Sequence, residues 1–491
     1  MSLSKSNFLH RLSEMTIPLL TWALITFPVW MSPFHPAVVA YFIICFELYF
    51  FYKSITNAIY ASISYQKIIE FSRVDFAKKV EKLKKAKDIN HFIIIPNYKE
   101  PLYKIEETIT TFIKNDFPYK NLHLVLAFEE REGKEAQEKA RILIDKYEKN
   151  FHQIIIAYHH LTNNEIVGKA SNQTFAAKIV AQYVKDNNYQ TEDVLITICD
   201  ADSHLPQNYF SYLTYEYLND RDRLYHFYWA PVLLYNNFWQ IPFFVRMQST
   251  LSSILRLSLL SQKENLIQIS TYSTNLWLLQ QINYWDTDII PEDWHVYFQT
   301  FFTFGKKVRT LPLYTIVTGD AVYAGKLIKT LANRYEQEKR WAWGVSDISY
   351  TLKKLFTTPH INFMAKLKKI INLAEGHLLW PTSFFILTIS ASIPPLVNPL
   401  FKRTVLGYLL PQLSGLILTL ATSMLLLYTY LDIKVRQKIK MKFKITSLPL
   451  MFIQWYFLPL VSFLFSSLPA LDAHTRLLFN KKIEYKVTEK V

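Results

Sequence analysis

Residues 194–199 form an apolar run that leads straight into Asp200-Ala201-Asp202. Two carboxylates so placed offer hard oxygen donors to a divalent cation and, through it, to bound phosphates. The same pattern, with Ser203 following, reads equally as the aspartate nucleophile of a phosphohydrolase. A second acidic pair, Glu292-Asp293, sits in Ile-Ile-Pro-Glu-Asp-Trp-His. A carboxylate beside a metal–phosphate centre can take the proton of an attacking hydroxyl. Pro-Glu-Asp also suits the first turn of a helix, and both readings can hold together. The third signal is Gln337-Glu338-Lys339-Arg340-Trp341. Arginine offers a planar donor fork to a diphosphate, and tryptophan a flat face to a sugar ring. The competing reading is an arginine–tryptophan anchor at a membrane interface.

These groups need elements to hold them. The β-branched runs at 91–96, 122–128, 153–158 and 194–199 predict strands, and the segments 102–114, 134–149 and 171–185 predict helices between them. Strands that alternate with helices make a parallel, doubly wound sheet, whose ligands bind beyond the carboxyl ends of the strands. Those ends carry Pro96-Asn97-Tyr98-Lys99-Glu100, then Glu129-Glu130-Arg131, then the Asp-Ala-Asp triplet. Neither a dinucleotide-binding glycine fingerprint nor a phosphate-binding P-loop is present.

On either side of this region the chain is apolar. No Asp, Glu, Lys or Arg occurs in residues 15–46, 378–401, 404–431 or 445–471. A spanning helix needs ~20 apolar residues, so each run is long enough. Ser-Pro-Phe-His-Pro at 32–36 breaks the first run into a hairpin of two short helices, about 15–33 and 36–54. Glu47 in the second helix requires a partner or a watery setting. Pro449, Pro459 and Pro469 make the last run either a third C-terminal span or a broken, re-entrant segment. Lysines follow the first pair of helices (Lys78, Lys79, Lys82, Lys84, Lys85, Lys87), and from Lys434 to Lys444 basic residues alternate with other types. Positive loops stay in the cytosol, which places the central domain there. The alternation reads as an extended segment laid on anionic headgroups or as a solvated loop.

The net charge of +15 calls for an anionic partner. Membrane-facing lysines account for much of it, so it does not imply nucleic acid. Half the residues are hydrophobic, which excludes a disordered chain. The two cysteines, Cys45 and Cys199, exclude a disulfide framework and a thiolate zinc site.

Taken in order, Ile-Ile-Pro-Asn-Tyr-Lys-Glu, a strand-end acid, Gly168-Lys169, Asp-Ala-Asp, Glu-Asp and Gln-x-x-Arg-Trp resemble the membrane-bound family 2 inverting glycosyltransferases, which include cellulose, chitin and hyaluronan synthases. The likeness covers about residues 90–345 and the flanking membrane helices. It implies an α/β, GT-A-like, mostly parallel sheet flanked by helices and inserted between N- and C-terminal transmembrane helices. The organisation expected is a hairpin over 1–58, a cytosolic catalytic domain over 59–345, interfacial helices over 346–376, two to three spans over 377–471 and a tail over 472–491.

By resemblance, Asp202 ligates Mg2+ or Mn2+, and Asp200 contacts metal or nucleotide. Asp293 is the general base, with Glu292 beside it. Pro96, Glu100 and Lys169 lie by the donor, and Gln337, Arg340 and Trp341 hold the diphosphate and the acceptor sugar. Where the family has an Asp at the end of the second strand, this chain has Glu129 or Glu130, and Pro291 stands where a Thr is usual. The implied partners are a nucleotide-sugar donor, a glycan or lipid-linked acceptor, the bilayer and an accessory export or membrane protein. The alternatives are a non-catalytic membrane protein that binds a nucleotide sugar and the aspartate-based phosphohydrolase.

Overall fold

The computed structural model describes residues 2–163, 165–441 and 448–484. Its centre is a seven-stranded sheet in the order β3-β2-β1-β4-β7-β5-β8. The strands are β1 (Asn90–Asn97), β2 (Leu122–Glu129), β3 (Gln153–His159), β4 (Val194–Ile198), β5 (His226–Trp229), β6 (Val232–Leu233), β7 (Tyr272–Asn275), β8 (Arg309–Pro312) and β9 (Val317–Thr318). β6 and β9 form a separate two-stranded ladder. Pairing is parallel throughout the large sheet except at β7, which runs antiparallel to both β4 and β5. The expected mostly parallel sheet is therefore the one observed, with one reversed strand near its middle.

β1 shows why the sheet is buried on both faces. Phe92 and Ile94 point to one side, and Ile93 and Ile95 to the other, all fully buried. The helix Leu102–Ile113 covers the second face with Ile105, Thr108, Ile109 and Phe112, one stripe at helical spacing. The helix Lys169–Asp186 covers the first face with Ala176, Ala177, Val180 and Val184. From β1 the chain winds outward to β2 and β3, then returns to place β4 on the other flank of β1. That reversal opens a crevice beyond the carboxyl ends of β1 and β4.

Among the described residues, four helices are long and apolar enough to cross a membrane: Phe8–Met31, Pro36–Phe71, Val405–Lys438 and Pro449–Leu478. A fifth candidate is the pair Phe363–Thr388 and Ser390–Val397, bent by 45°. The hairpin turn falls at 32–35, as the two prolines require. Its second helix continues 17 residues past the expected end at 54, to Phe71. Ala58, Ala61, Ser64 and Ile68 keep a buried stripe at helical spacing, so packing continues where the apolar run stops. The helix Phe363–Thr388 likewise starts well before the uncharged run, with Lys366 inside it and buried; Asp347–Thr357 forms a helix of its own.

The last run is broken, as its prolines demand. It divides into Leu448–Ile453, Leu458–Ser462 and Leu468–Leu478, with Pro459 and Pro469 in first-turn positions, where no donor is lost. Residues 434–438 close the helix Val405–Lys438, with Val435 and Arg436 buried. The alternation there is thus helical, neither extended nor looped. Lys442 and Lys444, residues 445–447 and residues 485–491 lie outside the described residues. Glu47 finds its partner in Ser414 of the facing helix, whose hydroxyl donates to it.

One core joins these parts. Ile94, Ile196 and Ala177 of the sheet layer belong to the same cluster as Ala61 and Ile68 of the second helix and Leu425, Leu431 and Val435 of the helix Val405–Lys438.

Candidate active site

The crevice beyond β1 and β4 gathers three of the predicted carboxylates, Asp200, Glu292 and Asp293, around one ammonium. Lys169 opens its helix directly after Gly168. Its Nζ donates to Asp200 Oδ1 at 2.6 Å and to the Ser270 carbonyl at 3.0 Å, and lies 3.6 Å from Glu292 Oε1. Burial disfavours its charge, but Asp200, Glu292 and Asp293 overcome that and hold its pKa above the ordinary value. Asp200 also accepts a short bond from the Ser270 hydroxyl.

Glu292 and Asp293 begin the helix Glu292–Phe304. The pair thus takes the first-turn positions that Pro-Glu-Asp suits. Asp293 Oδ2 accepts from the Ser270 N–H at 2.8 Å and Oδ1 from the Trp294 N–H at 2.9 Å. Burial raises the Glu292 pKa to about 7, with Lys169 opposing and Asp293 reinforcing. Burial raises Asp293 as well.

Ser270 is the residue that sequence reasoning missed. Its N–H, carbonyl and hydroxyl meet Asp293, Lys169 and Asp200 in turn. It does so at φ 67°, in the left-handed region that a serine seldom occupies. The register explains its place: Ile198 pairs with Tyr272 in the antiparallel β4–β7 ladder, so Ser270 lies two steps beyond, level with Asp200.

Asp202 belongs to a neighbouring clamp. Its Oδ2 accepts from the Asp320 N–H at 2.9 Å, and its carbonyl from Asn236 Nδ2 at 3.0 Å. Asp320 in turn receives Lys104 Nζ at 2.6 Å. Asn237 pairs twice with the Ala321 backbone, donating at 2.8 Å and accepting at 2.9 Å. The loop after β6 thus fixes the strip 319–321 that fixes Asp202.

The β1 turn is also tied down. Pro96 is partly buried in the strand, and Glu100 Oε2 accepts from the Tyr98 N–H at 2.6 Å. Lys99 sits at φ 64°, a turn conformation uncommon for a side-chain-bearing residue. Glu129, at the end of β2, is buried and already partnered, 3.3 Å from His159 Nδ1 and 3.4 Å from Arg131 Nε. Burial alone would lower the His159 pKa, but Glu129 and Glu165 raise it. Glu130, the other candidate, is exposed and bonds His160 at 2.6 Å. Near these ends lie buried polar atoms with no hydrogen-bond partner among the described residues: both amide atoms of Asn97, both of Gln173, and Asn172 Oδ1. Such groups are costly unless something polar meets them.

The helix Leu327–Ala342 divides the Gln-x-x-Arg-Trp segment between two faces. Arg334, Gln337, Glu338 and Trp341 share one stripe at helical spacing. Arg334 donates short bonds to Gln337 and Glu338, and its guanidinium lies 4.9 Å from the Trp341 ring centre. Arg256, from the helix Phe243–Leu259, meets the same ring at 5.4 Å. Burial and Arg334 bring the Arg256 pKa down to about 10, against the pull of Glu338, Asp200 and Asp293. Arg340 lines a cavity whose described lining residues include Glu336, Lys339, Arg476, Lys482 and Glu484 and not Asp200, Glu292 or Asp293. Its place one residue before Trp341 rotates it off the Trp341 face.

A mostly parallel sheet with acidic strand ends, flanked by helices long and apolar enough to cross a membrane, is the GT-A-like architecture expected from the sequence. Residues 195–465, over half the chain, match the family described as Glycosyl transferase family group 2, and the chain belongs to that family. No curated protein sequence matches it. Among solved structures, it is similar to the mannosyltransferase PcManGT from Pyrobaculum calidifontis, in complex with GDP-Man and Mn2+. Identity there is 15%, over 77% of this chain and 97% of that one, at a TM-score of 0.41. It is also similar to S. aureus TarS 1–349 in complex with UDP-GlcNAc, at 12% identity over 72% and 93% of the two chains and a TM-score of 0.38.

Proposed function

We propose that this glycosyltransferase is an integral membrane enzyme that moves a sugar from a nucleotide-diphosphate sugar to a polysaccharide or glycolipid acceptor, with inversion at the anomeric carbon. The observation that carries the reading is the Lys169–Asp200–Ser270–Asp293 cluster at the β1–β4 crevice. It puts a desolvated carboxylate beside the strand end where a donor's phosphates would sit.

Asp293 takes the acceptor proton. The freed oxygen attacks the anomeric carbon from the side opposite the leaving diphosphate, so one displacement inverts the centre. Lys169 holds Asp200 in place and offsets the negative charge of the acidic pair. Glu292, with its raised pKa, keeps that charge from doubling. Trp341 offers its face to the acceptor ring, and Gln337 fixes Arg334 beside it. Pro96, Glu100 and Glu129 shape the nucleotide end of the crevice.

Among the described residues, no group of three or more His, Cys, Asp or Glu is placed to hold a metal. Asp202 and Asp200 nevertheless fit Mg2+ or Mn2+, because such ions are commonly held by one or two carboxylates together with substrate phosphates. The cation would neutralise charge on the diphosphate. The apolar helices and the lysine-rich segment after the hairpin support a cytosolic catalytic domain on an integral membrane protein. Gln-x-x-Arg-Trp favours polymer synthesis, and four or five spans favour single addition.

The test is a panel of nucleotide sugars offered to the protein in lipid nanodiscs with Mg2+ or Mn2+, reading released nucleoside diphosphate. Release from one donor, abolished in Asp293→Asn while donor binding persists, is the expected result. Full release by that variant would place the base elsewhere. Sizing the product then separates polymer from single addition.

A further inference from the structure

We propose that Arg256 is a phosphate-binding residue of this reaction, gripping the diphosphate that leaves the donor; this rests on the donor reading above. Arg256 stands on the helix Phe243–Leu259. Its Nη1 donates to the Val232 carbonyl at 2.7 Å, and its plane packs by Trp341. Val232 lies in β6, which pairs with β9. Immediately after β9, the Gly319 N–H donates to the Leu233 carbonyl at 2.8 Å and the Asp320 N–H to Asp202. The ladder that tethers Arg256 therefore also carries the clamp on Asp202.

The charge of Arg256 is the unmatched one. Arg334, on the same tryptophan, is met by Glu338 and Gln337. Among the described residues, no carboxylate lies within ion-pair distance of Arg256; Glu338, Asp200 and Asp293 act on it only from further off. A half-buried guanidinium has five donors, and desolvating it without an anion is costly. Its fork matches two phosphate oxygens. Arg340, to which the family resemblance assigns the diphosphate, faces a different cavity. As the bond from the anomeric carbon to the diphosphate oxygen breaks, the electron pair and one added negative charge remain on the diphosphate. The guanidinium of Arg256, within electrostatic reach of Asp200 and Asp293, would meet that charge. The tie to the Asp202 strip favours the donor's anion over one on the acceptor.

The experiment is titration calorimetry on the full chain in nanodiscs, with MgCl2 and four probes: UDP, GDP, UMP and GMP. Wild type is expected to bind one diphosphate more tightly than its monophosphate. Arg256→Gln should weaken that diphosphate ~10–100-fold, the size of a lost hydrogen bond to a charged group, and leave the monophosphate within ~3-fold. An equal loss on both probes, or no loss on either, overturns the proposal. So does intact diphosphate affinity with a raised acceptor KM, which would give Arg256 to an acceptor anion. If wild type binds none of the probes, the donor reading falls and this proposal with it; if wild type binds and Arg256→Gln binds alike, only this proposal falls. Should Arg256→Gln not fold, Arg256→Lys decides. It keeps the charge without the fork and should weaken the diphosphate alone, and unchanged binding by it overturns the proposal.

Discussion

Glu292 and Asp293 share a desolvated corner with Lys169, and their titration follows from that. Burial raises both, with the Asp293 charge adding to the rise of Glu292 and the Asp200 charge to that of Asp293, while Lys169 opposes. A general base works only when deprotonated, so activity should rise with pH through the pair's raised range, not through the usual carboxylate range near 4. The acid limb of kcat/KM is expected above the ordinary carboxylate range in wild type. Glu292→Gln removes a like charge and should move that limb down. A wild-type limb below 5 would show that the pair is solvated during turnover. At this scale the sequence displayed the acids and Lys169 but hid Ser270 and Arg256. Ser270 meets Asp200 only through an antiparallel register between strands some 70 residues apart, and its flanking sequence carries no catalytic signature. Arg256 looks like any surface arginine until the helix packs its side chain against Trp341.

At the scale of elements, the start of the helix Glu292–Phe304 must be held if its first two residues are to meet Lys169. His295 holds it. Its Nδ1 lies 2.9 Å from Asp347 Oδ1 and its Nε2 2.9 Å from Asp286 Oδ2. Burial works against the charged ring, but the two carboxylates raise it to about 9. A raised folded-state pKa gives stability that is complete below the unfolded value of ~6.5 and lost as pH rises through about 9. The contribution is on the order of 2 kcal/mol once the part-exposed Asp286 is screened. Melting curves in nanodiscs should show wild type losing stability between pH 6.5 and 9.5. His295→Asn should be less stable throughout and flatter across that window; an equal slope in both proteins would remove His295 from the account. The sequence made the parallel strands and their helices readable, because β-branched runs and helical stripes alternate cleanly up to β4. It did not reveal β5 to β9. Those strands are two to four residues long, and their pairing is set by tertiary packing, not by local pattern.

At the scale of the molecule, the long apolar helices and the sheet layer cannot be separated, because one core runs through both. The polar link between them is specific. Asp432, buried near the C-terminal end of the helix Val405–Lys438, accepts from Tyr235 Oη at 2.6 Å and pairs with Arg436. The Arg436 guanidinium lies 3.9 Å over the ring of Phe238. Between Tyr235 and Phe238 stand Asn236 and Asn237, which hold Asp202 and the strip beside it. A helix long and apolar enough to cross a membrane thus positions a proposed metal ligand through four consecutive residues. Uncharged runs announced that the helix exists, but its buried Asp–Arg pair reads in sequence as an ordinary charged helix end. Tyr235→Phe keeps the ring and removes one hydrogen bond to a charged acceptor, worth about 1.5–3 kcal/mol. In nanodiscs it should lower the melting temperature and also raise, several-fold, the divalent-ion concentration that half-saturates donor binding. The second effect is the informative one. A lower melting temperature with an unchanged ion requirement would mean that Tyr235 only braces the fold, whereas both effects together would mean that the membrane helix sets the position of Asp202.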